Sequence, residues 1–197
     1  MPTKFNPNSR TRVKPGGAVK PISTSKVSVP GNQGPRIVHA VTIRKPAPEL
    51  YAFWRKVENL QLVIEDPVSI TALSSEESHW VVTAPGGTVE WNSIIINEEP
   101  DQLIAWRSRE GSQVPNAGSV RFSPAPGDEG TEVTVALEYD PPGGKLGALV
   151  AKFSGEDAGL QVYKTLKRFK ALMEAGEIPT TKNQSVGEPQ ASAKGRK

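Results

Sequence analysis

The sequence contains no cysteine and only two histidines, His39 and His79, among its 197 residues. Without cysteine there can be no disulfide framework, no thiolate nucleophile and no cysteine-based zinc site. Two histidines also argue against a multi-histidine metal site. We therefore expect neither a metal nor another cofactor.

Long apolar runs are missing as well. No segment approaches the ~18–20 apolar residues that a membrane-spanning helix needs. The N-terminus lacks the apolar core of a secretory signal, and its prolines prevent the amphipathic helix of a transit peptide. These absences favour a soluble cytoplasmic protein, most simply a bacterial one.

Acidic residues are absent from the first 35 positions, and the charge is therefore distributed unevenly along the chain. Residues 1–35 carry a charge of +6 and residues 180–197 carry +3, so residues 36–179 must carry −6 to give the net charge of +3. A basic nucleic-acid-binding domain is therefore disfavoured. We expect no specific nucleic-acid partner, and only weak contact of the basic tails with anionic surfaces.

The two terminal segments also lack a pattern of apolar residues. Prolines, glycines, serines and threonines dominate residues 1–35, and residues 180–197 have a similar composition. Such segments cannot bury enough apolar surface to offset the entropy lost on ordering. We therefore predict two disordered basic tails, 1–35 and 180–197, around a single domain at 36–179.

Strand patterns dominate the predicted domain, separated by short breakers rich in proline, glycine, serine and acidic residues. The predicted strands are 37–43, 67–73, 78–84, 88–97, 102–108, 117–123 and 131–139. Their short connections predict an antiparallel meander. In the last strand the side chains of Val133, Val135, Leu137 and Tyr139 share one face.

Helical spacing appears at both ends of this run of strands. Leu50, Phe53, Trp54 and Val57 predict a helix after the first strand, and a short second helix is predicted at 59–64. After the last strand, two further apolar stripes follow a helical period. They are Leu146, Leu149, Val150 and Phe153, and then Val162, Leu166, Phe169 and Met173.

The nine residues from Phe153 to Val162 place these two stripes half a turn out of phase. One straight helix would therefore point the stripes to opposite sides. We predict that the C-terminal helical segment is broken near Gly155. The predicted fold is α+β, a curved antiparallel sheet of about seven strands around this segment, with space for a cavity between the sheet and the helix.

Several short sequence motifs carry a family resemblance, and their order and spacing extend over residues 37–179. They are Tyr51-Ala52-Phe53-Trp54-Arg55, Glu58-Asn59-Leu60, Ser78-His79-Trp80-Val81, Thr88-Val89-Glu90-Trp91, Ile104-Ala105-Trp106-Arg107-Ser108, Asn116-Ala117-Gly118-Ser119-Val120-Arg121-Phe122 and Tyr139-Asp140-Pro141-Pro142. The chain thus resembles the START/Bet-v-1-like helix-grip superfamily (SRPBCC), in its bacterial cyclase/dehydrase branch. That branch is related to the coenzyme-Q-binding START domains. The resemblance implies the helix-grip fold, in which one cavity serves binding, transport or catalysis.

Tryptophans are the most informative residues for a site. Trp80, Trp91 and Trp106 lie on three neighbouring predicted strands, each two residues from an apolar residue that shares its face. They can share the inner face, where they either form ordinary core or line a ligand cavity. The candidate cavity residues are Trp54, Trp80, Trp91, Trp106, Phe122, Tyr139, Leu149 and Phe153.

Two charged residues are the catalytic candidates. Glu90 and Arg107 lie on adjacent predicted strands, next to Trp91 and Trp106, and alternate to the opposite face. They form either a surface ion pair or a buried acid/base pair, and the latter needs Glu90 to be desolvated. His39 and His79 are interpreted as structural or surface residues.

Three functions remain compatible with the sequence. The favoured one is a binding protein that holds an apolar or aromatic small molecule or lipid in an internal cavity. The second is a polyketide cyclase or dehydratase that uses the same cavity. The third is an interaction protein whose own side chains fill that cavity.

Overall fold

The main element of the fold is an antiparallel sheet of seven strands. The computed structural model describes residues 36–65, 68–84, 87–139 and 156–178. The strands are β1 (Arg36–Ile43), β2 (Val68–Ala72), β3 (Glu77–Ala84), β4 (Gly87–Glu99), β5 (Leu103–Ser108), β6 (Asn116–Pro124) and β7 (Thr131–Tyr139). The helices are α1 (Ala47–Arg55), α2 (Leu60–Val63) and α3 (Glu156–Ala175), with 3₁₀ turns at Val57–Asn59 and Pro126–Asp128. The predicted tails, 1–35 and 180–197, lie outside the described residues.

The strand order is β1-β7-β6-β5-β4-β3-β2. Strands β2 to β7 therefore form the predicted meander, in which each strand pairs with the next along the chain. Strand β1 pairs with β7, from Arg36 opposite Glu138 to Ile43 opposite Thr131. This pairing leaves β1 and β2 as the two edges of the sheet.

Side chains alternate between the two faces of each strand, and the face that carries the buried apolar residues packs against the helices. In β7, Val133, Val135 and Tyr139 are buried, and Val133 pairs with the buried Phe122 of β6. The predicted inner face of this strand is therefore confirmed. On the helical side, Leu166 and Phe169 of α3 are almost fully buried and belong to the same apolar cluster.

Helix α1 follows Pro46, whose fixed φ suits the start of a helix, and it buries Leu50 and Trp54. Helix α3 begins at Glu156 and continues without interruption through Gly159. The chain just before Glu156, with the predicted break near Gly155 and the stripe from Leu146 to Phe153, lies outside the described residues.

Strand β4 differs from its prediction, because it is longer and irregular. Its pairing with β5 shifts between Ile95 and Asn97, which marks a β-bulge at Ile96. Side chains alternate strictly along a regular strand, so the extra residue changes which face the following residues occupy. Glu98 thereby shares the face of Ile104, its partner on β5, and points toward α1.

Candidate functional site

A cavity of about 350 Å³ lies between the inner face of the sheet and the helices. Strands β2 to β7 form its floor, and α1, α2 and α3 cover it with residues such as Leu60 and Val162. The apolar or aromatic residues of the floor include Val68, Trp80, Val82, Trp91, Ile95, Ile104, Trp106, Val120, Val135, Leu137 and Tyr139.

All four tryptophans line this cavity, although they lie on four different elements. Trp80 and Trp91 are direct partners across β3 and β4, with ring centroids 5.8 Å apart and planes 14° apart. Trp54 extends from α1 and meets Phe169 edge-on at 5.7 Å. The structure thus brings together four of the predicted cavity residues around one space.

Tyr139 lines the cavity too, but Phe122 is not among the lining residues. Phe122 is buried in the core, and its ring centroid lies 6.0 Å from that of Tyr51 on α1. Its position in β6 therefore lies beneath α1 rather than beneath the open space. Leu149 and Phe153 lie outside the described residues.

Trp106 lies directly against the backbone of the neighbouring strand β6. Its partner there is Gly118, and a Cβ atom added to Gly118 would come within 2.5 Å of Cζ2 of the indole. The same Cβ would lie 2.8 Å from the carbonyl oxygen of Ala136. Glycine at this position therefore provides the space in which the indole lies, and it sets how far Trp106 extends into the cavity.

A line of polar side chains crosses the floor at one end of the cavity. Ser78 pairs with Ser93, and Ser93 pairs with Ser108. At the next register position Asn116 donates its backbone N–H to Ser108 Oγ at 3.0 Å, and Asn116 pairs with Tyr139. We call these five residues the polar row.

Most members of the polar row are buried and face the cavity. Ser93, Asn116 and Tyr139 are only 4%, 7% and 5% exposed, and all three line the cavity together with Ser78. Burial raises the pKa of the Tyr139 phenol above its ordinary value, so the group stays protonated at neutral pH. The row is thus a neutral set of hydroxyl and amide groups in a floor whose other lining residues are mostly apolar.

Two hydrogen bonds connect the polar row to the tryptophans. Trp80 Nε1 donates to Ser78 Oγ at 3.0 Å, and Trp91 Nε1 donates to Ser93 Oγ at 3.2 Å. Each serine lies two residues from its tryptophan, on the same face of the same strand. The indole N–H groups are satisfied in this way, and the rings are held in fixed orientations.

A polar cluster at the edge of the cavity was not predicted from the sequence. Glu98 Oε1 accepts a hydrogen bond from Arg55 Nε at 2.6 Å and another from the Tyr51 hydroxyl. Arg55 also donates to the carbonyl oxygen of Ser75 at 2.8 Å, which joins α1 to the turn between β2 and β3. Burial and the Glu98 carboxylate raise the pKa of Tyr51 to about 12. Only the bulge in β4 brings Glu98 to this face.

Glu90 and Arg107 do not pair with each other. Arg107 is opposite Ile94 on β4 and Ala117 on β6, whereas Glu90 lies four residues further along β4. Glu90 is 60% exposed, and its Oε2 lies 3.7 Å from Nε2 of His79. The interpretation of this pair as a buried acid and base is therefore wrong, because Glu90 stays in solvent on the outer face.

The two histidines lie on different faces of the sheet. The His79 Nδ1 atom is 2.7 Å from Asn92 Oδ1, in a hydrogen bond on the outer face. His39, on β1, contacts the ring of Tyr163 on α3 at 5.9 Å between centroids. Within the described ranges, no group of three or more His, Cys, Asp or Glu residues has an arrangement that could hold a metal ion.

Among the described helices, none is both long enough and apolar enough to cross a membrane. The curved antiparallel sheet, the C-terminal helix and the apolar cavity between them define a helix-grip domain of the SRPBCC superfamily. Within that class, the chain belongs to the family described as polyketide cyclase/dehydrase and lipid transport, whose sequence profile matches residues 43–164.

Similar proteins come from several bacteria. The crystal structure of DR_A0006 from Deinococcus radiodurans is 38% identical, with a TM-score of 0.60, and the match covers 72% of this chain and 99% of that one. TTHA0849 from Thermus thermophilus is 22% identical with a TM-score of 0.55, covering 69% and 94%, and it shares the fold. An uncharacterised 17.2 kDa protein of Streptomyces lincolnensis is 23% identical over 145 residues, which are 71% of this chain and 89% of that protein.

Proposed function

We propose that this domain binds an apolar or aromatic small molecule or lipid in the cavity between the sheet and the helices. The observation that carries the proposal is a space of about 350 Å³ around which four tryptophans converge. This volume falls in the range of small-molecule sites. It argues against the alternative in which the protein's own side chains fill the interior.

The energetics of such binding depend on the apolar surface that the ligand loses to the cavity. Burial contributes about 25 cal/mol per Å² of apolar area. Part of that gain offsets the loss of translational and rotational freedom on association. A ligand the size of two fused rings is therefore expected to bind with micromolar affinity.

Titration with 2-methylnaphthalene, followed by tryptophan fluorescence, tests this proposal. Binding should change the emission, because all four indoles line the cavity. Leu137→Trp adds a ring to the floor and should abolish binding, whereas Val38→Trp adds the same ring to an outer-face position that is 52% exposed and should leave binding intact. If no apolar probe changes the emission or raises the melting temperature, the binding proposal is wrong.

A second candidate is an enzyme of the cyclase or dehydratase type that acts on a polyketide-like ligand in the same cavity. The polar row favours it, because its neutral hydroxyl and amide groups can polarise a carbonyl oxygen by hydrogen bonding. The acidic and basic side chains among the described lining residues are Arg55, Glu58, Glu76 and Glu77. They belong to α1, the adjoining 3₁₀ turn, the turn before β3 and the first residue of β3, rather than to the centre of the floor.

Mass spectrometry separates this candidate from simple binding. The protein is incubated with a short poly-β-keto thioester, and loss of one water is followed with time. Turnover that disappears in Tyr139→Phe supports the enzyme. Binding without any conversion supports the carrier or binding protein.

A further inference from the structure

The polar row lies at a fixed distance from an aromatic surface. Ser78 lies two residues from Trp80 on β3, and Ser93 lies two residues from Trp91 on β4. This spacing corresponds to about 7 Å between the Cα atoms along each strand. The stacked indoles offer a flat surface and ring edges, which favour contact with another aromatic ring. One bound molecule can therefore contact both features only if its polar atom lies within a few bonds of a ring.

The hydroxyl groups of the two serines have a defined role in this arrangement. Each oxygen accepts an indole N–H, at 3.0 Å for Ser78 and 3.2 Å for Ser93. A hydroxyl has one hydrogen to donate in addition to its acceptor sites. The bond from tryptophan therefore leaves the serine able to serve as a donor toward an oxygen atom in the cavity.

The charge of the site limits that oxygen to a neutral group. Of the described residues that line the cavity, Arg55 is the one with a positive charge, and Glu98 holds its Nε at 2.6 Å. The polar row itself consists of serine, asparagine and tyrosine. Among the described residues, an anionic group placed there would find no counter-ion to offset the loss of its hydration, which is costly in an apolar site.

We propose that the cavity selects a flat aromatic ring with a neutral hydroxyl or carbonyl oxygen on one edge. The ring contacts Trp80 and Trp91, and the oxygen contacts Ser93 and its neighbours in the polar row. This inference rests on the proposed binding function and narrows the ligand class.

Calorimetric titration of the full chain with matched probes tests the inference. The probes are 2-methylnaphthalene, 2-naphthol and 2-naphthoate, which share the ring system and differ in one substituent, together with decan-1-ol, which has a hydroxyl but no ring. We expect 2-naphthol to bind about fivefold tighter than 2-methylnaphthalene, which corresponds to one neutral hydrogen bond. We expect 2-naphthoate and decan-1-ol to bind more weakly than 2-naphthol.

Two serine variants locate the effect. Ser93→Ala should lower the affinity for 2-naphthol more than the affinity for 2-methylnaphthalene, so that the preference for 2-naphthol is lost; any effect on 2-methylnaphthalene reports the loss of the bond to the Trp91 indole. Ser69→Ala is the matched control, because Ser69 is exposed on the outer face of β2 and does not line the cavity. Thermal unfolding of each variant establishes that it is folded.

The possible outcomes separate this inference from the proposed function. Equal binding of 2-naphthol and 2-methylnaphthalene, unchanged by Ser93→Ala, would overturn the inference and leave the binding function standing. Tighter binding of 2-naphthoate or of decan-1-ol would overturn the ligand class. If none of the four probes binds, the proposed function fails together with the inference.

Discussion

At the residue scale, the contact between Trp106 and Gly118 determines the shape of the cavity floor. The indole occupies the space that a side chain on β6 would need, because an added Cβ would lie 2.5 Å from Cζ2. The close approach is therefore possible only with glycine. It also explains how a ring as large as indole fits among three adjacent strands.

We expect Gly118→Ala to destabilise the protein by about 1–3 kcal/mol, the usual cost of overpacking a filled interior. The new methyl group should also push Trp106 into the cavity and weaken ligand binding. Urea unfolding measures the first effect. A double variant with Trp106→Leu should lose less stability than the two single changes added together, and strict additivity would contradict the proposed contact.

A second prediction at this scale concerns pH. Arg109 donates hydrogen bonds to both oxygens of Glu77, and this pairing lowers the pKa of the Glu77 carboxyl below its ordinary value of 4.5. A lowered pKa in the folded state contributes stability that is present above the unfolded pKa and lost as the pH falls through the folded pKa.

The melting temperature of the native protein should therefore fall more steeply between about pH 5 and pH 3 than that of Glu77→Gln. Glu99→Gln, a change on the neighbouring strand β4, serves as the control and should follow the native curve. Parallel curves for the native protein and Glu77→Gln would show that the ion pair makes no contribution.

At the scale of elements, the Glu98 cluster joins α1 to β4 and to the turn between β2 and β3. Arg55, Tyr51 and the carbonyl of Ser75 are its other members. Since the side chains of Arg55 and Glu98 are partly exposed, we expect Glu98→Gln to cost only about 1 kcal/mol.

Ultraviolet titration of the tyrosines gives a more specific test of this cluster. One phenol should ionise at a pKa of about 12 in the native protein. Glu98→Gln removes the neighbouring negative charge, so this pKa should decrease. An unchanged high-pH titration in Glu98→Gln would mean that the carboxylate does not act on Tyr51.

The limits of most strands could be predicted from the sequence. Proline and glycine breakers separate alternating strands, so β3, β5, β6 and β7 begin and end within a residue or two of their predicted limits. The bulge in β4 was not predicted, because the run Ile94-Ile95-Ile96 is apolar throughout and does not show which residue leaves the alternation.

The site was predictable in part. Trp80, Trp91 and Trp106 each lie two residues from a valine or isoleucine on the same strand, and this spacing assigned them to the inner face. The polar row could not be recognised in the same way, because serine and asparagine are common on either face of a strand. Its alignment depends on the register of five strands, from β3 to β7, which no single stretch of sequence encodes.

At the scale of the whole molecule, we propose that residues 36–179 fold without the terminal segments. The basis is the composition of residues 1–35 and 180–197, which offers little apolar surface to bury. Deletion of 1–35 and 181–197 should leave the melting temperature within a few degrees of the full chain. A larger decrease would show that a tail packs against the domain.

The central claim is that the space beneath the helices is a ligand site, and nuclear magnetic resonance tests it most directly. The measurement is a ¹H–¹⁵N titration of the full chain with 2-naphthol. We predict that the largest shifts fall on the indole N–H signals of Trp80 and Trp91 and on the backbone amide of Ser93. The amide of Ser69, on the outer face, should stay in place. Shifts confined to exposed residues such as Leu160 and Tyr163, or no shifts at all, would contradict the account.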